Sequence, residues 1–466
     1  MGRFKRLISN TAILGAGTFI SKVLVFLLMP LYTSYLSSSE FGVADILMQT
    51  ANLIIPIAVI GVTDGLFRFT IDAKPEERKQ VFSVSIIALL IGMVPLAILI
   101  QLFGFISVYK GYVWLVFFYI CSANLHLIVA NYVRGCDKTK VFAIQGIINT
   151  ALVIIFNVLF LVVFDMGVTG YLLSVVLADF LVSVGLIIFC KLYRDIVFKG
   201  IDKALVKDLL AFSVPYIPLT LMWTITSVSD RFVILAMLGD NATTVNGLYA
   251  AAYKLPTLIT IAGGIFIKAW HISSVSEDEG EERSKFFGNV YKNYLCLMFA
   301  GGACLIAFSK LFTKILLNES YYSSWQYVPI LVVAMIFSAF SEFLGSVYFV
   351  KKRSKRSLVT AAVGAITNIV LNFALIPFWG ASGAAIATAI CYGLVFIIRV
   401  IDTQKFIRFE RSIVKTVVNI LVIVAQVVLM VIDLPYWWIY QIVFVAFSLI
   451  FNGREVIASV LKLLKK

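Results

Sequence analysis

The chain is a succession of long apolar segments separated by short polar ones. The apolar segments run for about 20 to 25 residues without alternation, as expected of helices that cross a hydrocarbon core about 30 Å thick. About fourteen such segments are predicted. They cover residues 8–35, 42–69, 81–105, 112–133, 141–164, 168–190, 209–238, 245–270, 290–312, 328–350, 358–378, 381–400, 414–432 and 437–451. The pattern therefore predicts an all-α polytopic membrane protein.

The composition excludes soluble proteins. Hydrophobic residues make up 61% of the 466 positions and charged residues 14%, against about a quarter charged in a typical globular domain. A soluble enzyme of this size cannot cover its surface with so few charges. The 6 cysteines are scattered and lack the spacing of metal-binding pairs, so we interpret them as packing residues.

Lysine and arginine residues crowd alternate connecting segments. Of the 39 basic residues, 33 lie at the N terminus, at the C terminus, or in an even-numbered loop or within a few residues of one. Basic residues favour the cytoplasmic side, so we predict that both termini are cytoplasmic and that the protein lies in the cytoplasmic membrane. The net charge of +14 comes from short clusters beside span ends, which favours a topology signal over nucleic-acid binding.

A pattern of basic loop, glycine, asparagine-bearing apolar run and Gly-x-x-Gly turn occurs twice. The two turns are Gly167–Gly170 and Gly380–Gly383. Because both turns open a span that starts from the same side, the repeat is parallel. It predicts two pseudo-symmetric six-helix lobes, residues 1–200 and 201–405, with a cavity between them. Residues 406–466 would form an extra helix pair and a basic cytoplasmic tail.

Several segments resemble a known family. They are Phe41-Gly42-Val43-Ala44, residues 61–69 (GVTDGLFRF), residues 229–232 (SDRF), residues 247–254 (GLYAAAYK) and residues 368–385 (NIVLNFALIPFWGASGAA). In this order they resemble the polysaccharide and oligosaccharide flippases of the multidrug/oligosaccharidyl-lipid/polysaccharide (MOP) exporter superfamily. The similarity extends over about the first 400 residues.

The resemblance implies a twelve-helix core that alternates between inward-open and outward-open states. It also implies transport of polyprenyl-diphosphate-linked oligosaccharides for cell-surface polysaccharide synthesis, with glycan polymerases or glycosyltransferases as partners besides membrane lipids. A chain with fourteen spans is similar to the lipid II flippase branch of this superfamily, in which an extra pair of helices forms a groove for the lipid tail. The sequence leaves the glycan open.

Three cations lie deep inside predicted spans, away from either end: Lys22, Arg231 and Lys254. A charge at the centre of a membrane helix costs about 2.5 to 3.5 kcal/mol on insertion scales, so each should face protein or water. The resemblance implies that spans one, two, seven and eight line the central cavity. We therefore expect these three cations to bind the diphosphate and adjoining acidic sugars. The structural alternative is that each pairs with a buried carboxylate and holds helices together.

Acidic residues are candidates for gating or coupling. Asp64 and Arg68 are four residues apart on one helical face, which predicts a coupled pair. Asp230 and Arg231 are adjacent and are expected to point in different directions. Glu342 has no compensating charge in the sequence and is either a proton or sodium site or a hydrogen-bonded, protonated carboxyl. His126 is expected to pack or hydrogen-bond rather than bind metal.

The sequence contains no nucleophile elbow, P-loop or paired catalytic motif, so we expect neither a catalytic residue nor a cofactor. A sodium or proton gradient, the membrane potential or consumption of the substrate outside would drive transport. Two other functions remain open: a cation-coupled multidrug exporter of the same superfamily, and a membrane-embedded glycan polymerase or glycosyltransferase. A membrane scaffold would leave the costly charges in the spans unexplained.

Overall fold

The computed structural model describes residues 24, 26–71, 73–198, 200–276, 281–351 and 353–464, with the backbone alone at 64, 268–269, 271–276 and 454–464. These residues form seventeen α-helices and no β-strand. The helices are α1 (Met29–Tyr35), α2 (Ser38–Ala58), α3 (Val62–Ile71), α4 (Pro75–Leu99), α5 (Val113–Gly135), α6 (Thr139–Asn157), α7 (Gly167–Phe189), α8 (Lys203–Ser213), α9 (Tyr216–Met237), α10 (Ala242–Lys254), α11 (Thr257–Ser276), α12 (Glu281–Ala307), α13 (Ser309–Leu316), α14 (Val328–Val350), α15 (Ser354–Thr403), α16 (Ile413–Val431) and α17 (Trp437–Leu464).

The predicted all-α membrane fold is confirmed. Within the described ranges, 10 helices are long and apolar enough to cross a membrane, or 11 if the bent pair α10 and α11 is one span. Helix α15 has 50 residues, but the non-helical φ and ψ of Gly380 divide it into two arms, each longer than the about 20 residues that cross a hydrocarbon core. It therefore contains two spans. Helical residues cover every predicted span from the second to the fourteenth, while the first lies largely outside the described residues.

Besides a short break at Phe308 near the end of the ninth, three predicted spans are interrupted rather than continuous. The second is divided between α2 and α3 by Ile60 and Gly61, whose φ angles are 54° and 66°. The seventh is divided between α8 and α9 around Pro215, and the eighth bends by 44° between α10 and α11 around Pro256. Proline removes a backbone donor and clashes with the preceding turn, which explains the second and third breaks.

The two Gly-x-x-Gly turns have the same local structure. Gly167 has a φ of +51° and Gly380 a φ of +54°, a region that glycine enters without steric cost. The second glycine of each turn lies against the preceding helix. A Cβ at Gly170 would lie 2.9 Å from Cβ of Phe160, and one at Gly383 would lie 2.5 Å from the carbonyl oxygen of Leu375. The turns therefore reverse the chain where two helices touch closely.

The chain divides into two compact units, Met1–Ile225 and Thr226–Lys466. In the first unit, α5 packs against α2, α3, α4, α6 and α7. Its apolar core includes Val62, Leu66, Phe82, Val129 and Val133, all fully buried. The division predicted at residues 200 and 405 stays a prediction.

In the second unit, α14 packs against both arms of α15, and α16 and α17 pack on α12. Buried amides hold the last two helices. Asn419 and Asn452 donate to each other's side-chain oxygens at 3.1 and 2.8 Å. Gln426 donates to the Gln441 side chain and to the Ala303 carbonyl, both at 2.9 Å. Hydrogen bonds of this kind join helices where lipid supplies no hydrophobic driving force.

Candidate functional site

A buried ion pair on α9 is the centre of the candidate site. The Nη1 atom of Arg231 lies 3.0 Å from Oδ1 of Asp230 and donates to the Ser227 carbonyl at 2.8 Å. Asp230 is fully buried and Arg231 is 4% exposed. The backbone N–H of Arg231 also donates to Oδ1 of Asp230. The pair is therefore neutral overall and well satisfied by hydrogen bonds.

The expectation that Asp230 and Arg231 point in different directions is wrong. Their Cβ atoms do diverge on the helix, but the guanidinium lies at the end of a long flexible side chain and the carboxylate on a short one. Arg231 folds back along the helix toward the carbonyl one turn earlier, which brings Nη1 to Asp230. The result matches the structural alternative, in which a cation in a span pairs with a buried carboxylate.

Two tyrosines of α10 complete the surroundings of the pair. The hydroxyl of Tyr249 donates to Oδ2 of Asp230 at 2.6 Å. The Arg231 guanidinium carbon lies 4.6 Å from the ring centroid of Tyr253 and 5.6 Å from that of Tyr249. Cations at these distances are attracted to the ring face. The segment GLYAAAYK thus supplies a polar and an aromatic partner to one ion pair, four residues apart on one helical face.

A network of neutral polar side chains begins one residue before the pair. Ser229 donates to Oδ1 of Asn368. Asn368 donates to Thr388 at 3.2 Å, and Asn372 donates to Asn368 at 3.0 Å. All four are buried and connect α9 with both arms of α15. Asn368 and Asn372 entered the predictions through the repeat and the family resemblance and not as site candidates, although two asparagines four residues apart share one helical face.

The other predicted site residues are Lys22, Asp64, Arg68, Lys254 and Glu342. Lys22 lies outside the described residues, as does the side chain of Asp64, so its pairing with Arg68 stays a prediction. Arg68 is exposed at the end of α3 and lines a groove of about 510 Å³ with Phe69, Ala73, Glu77, Leu205 and Phe212. Lys254 is partly buried at the last residue of α10, immediately before the 44° bend.

Glu342 has a basic neighbour that the sequence did not reveal. It interacts electrostatically with Arg399 and with Tyr294, so the description of it as uncompensated is wrong. Arg399 is 2% exposed, and its Nη1 donates to the Ser341 carbonyl at 2.7 Å while Nε donates to Thr360 at 3.0 Å. In the sequence, Arg399 belongs to the basic residues beside a predicted cytoplasmic loop, because it lies at the end of a predicted span. Whether Glu342 binds a proton or sodium stays a prediction.

The glycine opposite Arg399 shows how closely this arginine is packed. A Cβ at Gly345 would lie 2.7 Å from Nη1 of Arg399. No group of three His, Cys, Asp or Glu side chains in the described ranges is placed to hold a metal ion. The two buried arginines, Arg231 and Arg399, supply permanently charged guanidinium groups held by hydrogen bonds.

Comparisons with solved structures define the fold type. The lipid II flippase MurJ in an inward-closed conformation is 15% identical, with a TM-score of 0.72 over 96% of this chain and 100% of that one. An inward-facing multidrug resistance MATE transporter of the MOP superfamily is 14% identical, with a TM-score of 0.67 over 83% of this chain and 95% of that one. A MOP superfamily transporter from Pyrococcus furiosus is 14% identical, with a TM-score of 0.54 over 85% of this chain and 96% of that one. The fold is a multi-pass membrane transporter fold of the MurJ and MATE type.

The family follows from the sequence. Residues 7–270 match the model of the family described as "Polysaccharide biosynthesis protein". The matched residues exceed half of the chain, and the chain belongs to this family. A comparison with curated protein sequences yields no match.

Proposed function

We propose that this protein is an alternating-access flippase that moves a polyprenyl-diphosphate-linked oligosaccharide across the cytoplasmic membrane for cell-surface polysaccharide synthesis. The observation that carries the proposal is membership of the polysaccharide biosynthesis family over residues 7–270, in a chain whose fold resembles that of a lipid II flippase over 96% of its length. The family membership and the fold resemblance both support the same class of substrate, a glycan on a lipid carrier.

The physical problem in such transport is an amphiphile. Its polyprenyl tail is soluble in the bilayer, while the diphosphate and sugars need polar surroundings during the crossing. A bundle of apolar helices with a few charged and amide side chains inside supplies both environments. The proposed activity is therefore transport rather than bond formation or cleavage.

We assign the diphosphate to Lys22, Arg231 and Lys254. Arg231 is engaged by Asp230, so binding of a diphosphate there requires the pair to open and the guanidinium to exchange one anionic partner for another. An arginine suits this exchange because its planar group holds carboxylate and phosphate in the same two-pronged geometry. A gradient of sodium or protons, or the membrane potential, would supply the energy, with Asp64, Arg68, Asp230 and Glu342 as gating or coupling residues.

Export of the glycan by cells that carry variants tests this assignment. Arg231→Lys should be weaker than the wild type, and the triple change Lys22→Ala, Arg231→Ala and Lys254→Ala should abolish export and leave lipid-linked oligosaccharide on the inner leaflet. Lys314 is exposed at the end of α13 and lies outside the proposed site, so Lys314→Ala is the matched control. Full export by the triple variant at normal membrane abundance would contradict the assignment.

Orientation is a separate part of the proposal. The distribution of basic residues supports cytoplasmic termini and a cytoplasmic loop at residues 351–356. A single cysteine in that loop should resist an impermeant thiol reagent in intact cells and react after permeabilisation. Ready labelling from outside would contradict this topology.

A cation-coupled multidrug exporter is the second candidate, supported by the MATE fold likeness at a TM-score of 0.67. Such a protein would attract cationic compounds, whereas the charged groups proposed for this site are mostly basic. Efflux of cationic dyes without any effect on glycan export would favour this alternative over the flippase.

A further inference from the structure

The first unit contains a polar cluster that the proposed site does not use. His126 lies near the middle of α5 and Asp179 near the middle of α7, each a helix of 23 residues. Nδ1 of His126 lies 3.1 Å from Oδ1 of Asp179. Two amides of α6 complete the cluster: Gln145 lies 2.7 Å from Nε2 of His126, and Asn149 donates to Oδ1 of Asp179 at 2.8 Å. An ionisable pair in mid-span is costly and suggests a function.

The contacts of the imidazole suit a protonated ring. The atom of Gln145 that faces Nε2 is its carbonyl oxygen Oε1, and the atom of Asp179 that faces Nδ1 is a carboxylate oxygen. Both are acceptors, which a cationic imidazole satisfies by donating from both nitrogens, while Nδ2 of Asn149 lies farther from Nδ1, at 3.4 Å. We take the imidazolium–carboxylate pair, with no net charge, as the protonated state of the cluster.

The groups around the cluster leave His126 as the basic partner of Asp179 within the described residues. Tyr119, also on α5, interacts electrostatically with Asp179. Asp45 on α2 is hydrogen-bonded by Gln49 at 3.2 Å and interacts with Tyr171 of α7. The described charged side chains of α3, α4 and α6 lie toward the helix ends: Arg68 on α3, Glu76, Glu77, Arg78 and Lys79 on α4, and Lys140 on α6. On α5 itself, Arg134 stacks on Phe67 and Phe142.

Two further features suit a group that exchanges protons. The side chains of His126 and Asp179 keep 17% and 12% of their surface exposed, so the pair is not sealed inside the helix packing. Oδ1 of Asn149 is buried, and no donor among the described residues reaches it. That oxygen belongs to the amide whose nitrogen contacts the carboxylate, and it is an acceptor available to a donor.

We propose that His126, Asp179, Gln145 and Asn149 form a proton-binding site in which the imidazolium releases its Nε2 proton to water as the Gln145 amide rotates. After release, the amide N–H of Gln145 donates to the bare Nε2, while Nδ1–H continues to donate to Asp179. The cluster then carries one negative charge instead of none. The two states differ by one proton and one amide orientation, so a proton gradient acts directly on this unit. The link to glycan movement rests on the proposed function; the proton site itself does not.

Histidine-selective NMR tests the proton site, because the chain has 2 histidines. In a His271→Gln background, only His126 carries the ¹⁵N label. We expect two protonated ring nitrogens at neutral pH, and a neutral imidazole after Asp179→Asn. Gln145→Leu should change the titration of His126, whereas Gln49→Leu, which removes an amide beside the other carboxylate of this unit, should leave it unchanged. A neutral imidazole in the wild type, or identical titrations in all these variants, would overturn the proposal.

Proton flux in proteoliposomes tests the link to transport. With a polyprenyl-diphosphate oligosaccharide in the membrane, the wild type and His271→Gln should move protons across it as the glycan moves, and His126→Gln should lose this flux. Equal flux from His126→Gln would overturn the link. If the protein moves no glycan while the imidazolium signal is intact, the proposed function fails and the proton site stands.

Discussion

Both units are helical, but they hold their mid-span charges differently. In the second unit, Asp230 pairs with Arg231 on the same helix, fully buried and backed by tyrosines. In the first, Asp179 pairs with His126 on a neighbouring helix and stays partly exposed. A guanidinium cannot lose its proton in a protein, whereas an imidazole loses one near neutral pH. The second unit therefore holds a permanent cation, and the first a cation that can be switched off.

This difference suggests a division of labour. A permanent cation that exchanges carboxylate for phosphate suits recognition of a diphosphate at every stage of transport. A removable one suits a response to the proton gradient.

The largest effect is expected when each pair loses its acid. Asp230→Asn leaves a buried guanidinium without a counter-charge, and removing one partner of a buried pair costs about 3 to 5 kcal/mol. Asp179→Asn should cost only about 1 kcal/mol, the value of a typical hydrogen bond, because His126 can become neutral. Denaturation in mixed micelles measures both free energies of unfolding. Equal losses would remove the contrast between the two pairs.

Substitutions in the two Gly-x-x-Gly turns should also destabilise the second unit more than the first, but by a smaller amount. A Cβ at Gly383 would meet a backbone oxygen at 2.5 Å, while one at Gly170 would meet side-chain and backbone atoms at 2.9 to 3.1 Å. Overpacking of this kind costs about 1 to 3 kcal/mol, so Gly383→Ala should destabilise more than Gly170→Ala. In Gly185→Ala and Gly301→Ala the new Cβ would meet nothing within 4 Å, and both controls should unfold at or above the wild-type temperature.

The amide pair Asn419 and Asn452 belongs to the last two helices, which lie outside the predicted repeat. Hydrogen bonds between membrane helices contribute on average about 0.6 kcal/mol in double-mutant cycles. Asn419→Leu and Asn452→Leu should therefore each destabilise, and the double change should cost less than the sum. The four-member cycle, measured by unfolding, gives the coupling energy. Strict additivity would mean that the reciprocal contact does not hold α16 to α17.

The sequence predicts the fold best where a helical period or a turn is sufficient. Apolar length predicted the helices, and the two Gly-x-x-Gly sequences marked turns that the structure contains at Gly167 and Gly380. Prediction from the sequence fails where the outcome depends on how far a side chain reaches. Arg231 folds back onto the adjacent Asp230, and Arg399 enters the core from a span end, because a long flexible side chain can move its charge several ångströms from its Cα.

His126 illustrates the same limit. Its expected role, packing or hydrogen bonding, agrees with the structure, but its partners come from α6 and α7, 19 to 53 positions away in the chain. Sequence spacing alone cannot bring such residues together, because helix packing decides which faces meet. The helix breaks at Pro215 and Pro256 could have been predicted from the sequence, since proline disrupts the helical hydrogen-bond ladder.

Reconstituted transport tests the central claim most directly. Purified protein in vesicles that contain a polyprenyl-diphosphate oligosaccharide should bring the inner-leaflet population within reach of an impermeant glycan-modifying enzyme added outside. The account predicts that the wild type and Lys314→Ala do so and that the triple variant of Lys22, Arg231 and Lys254 does not. The account would be contradicted if vesicles with the wild-type protein kept the inner-leaflet glycan as inaccessible to the enzyme as protein-free vesicles do and yet transported a cationic dye.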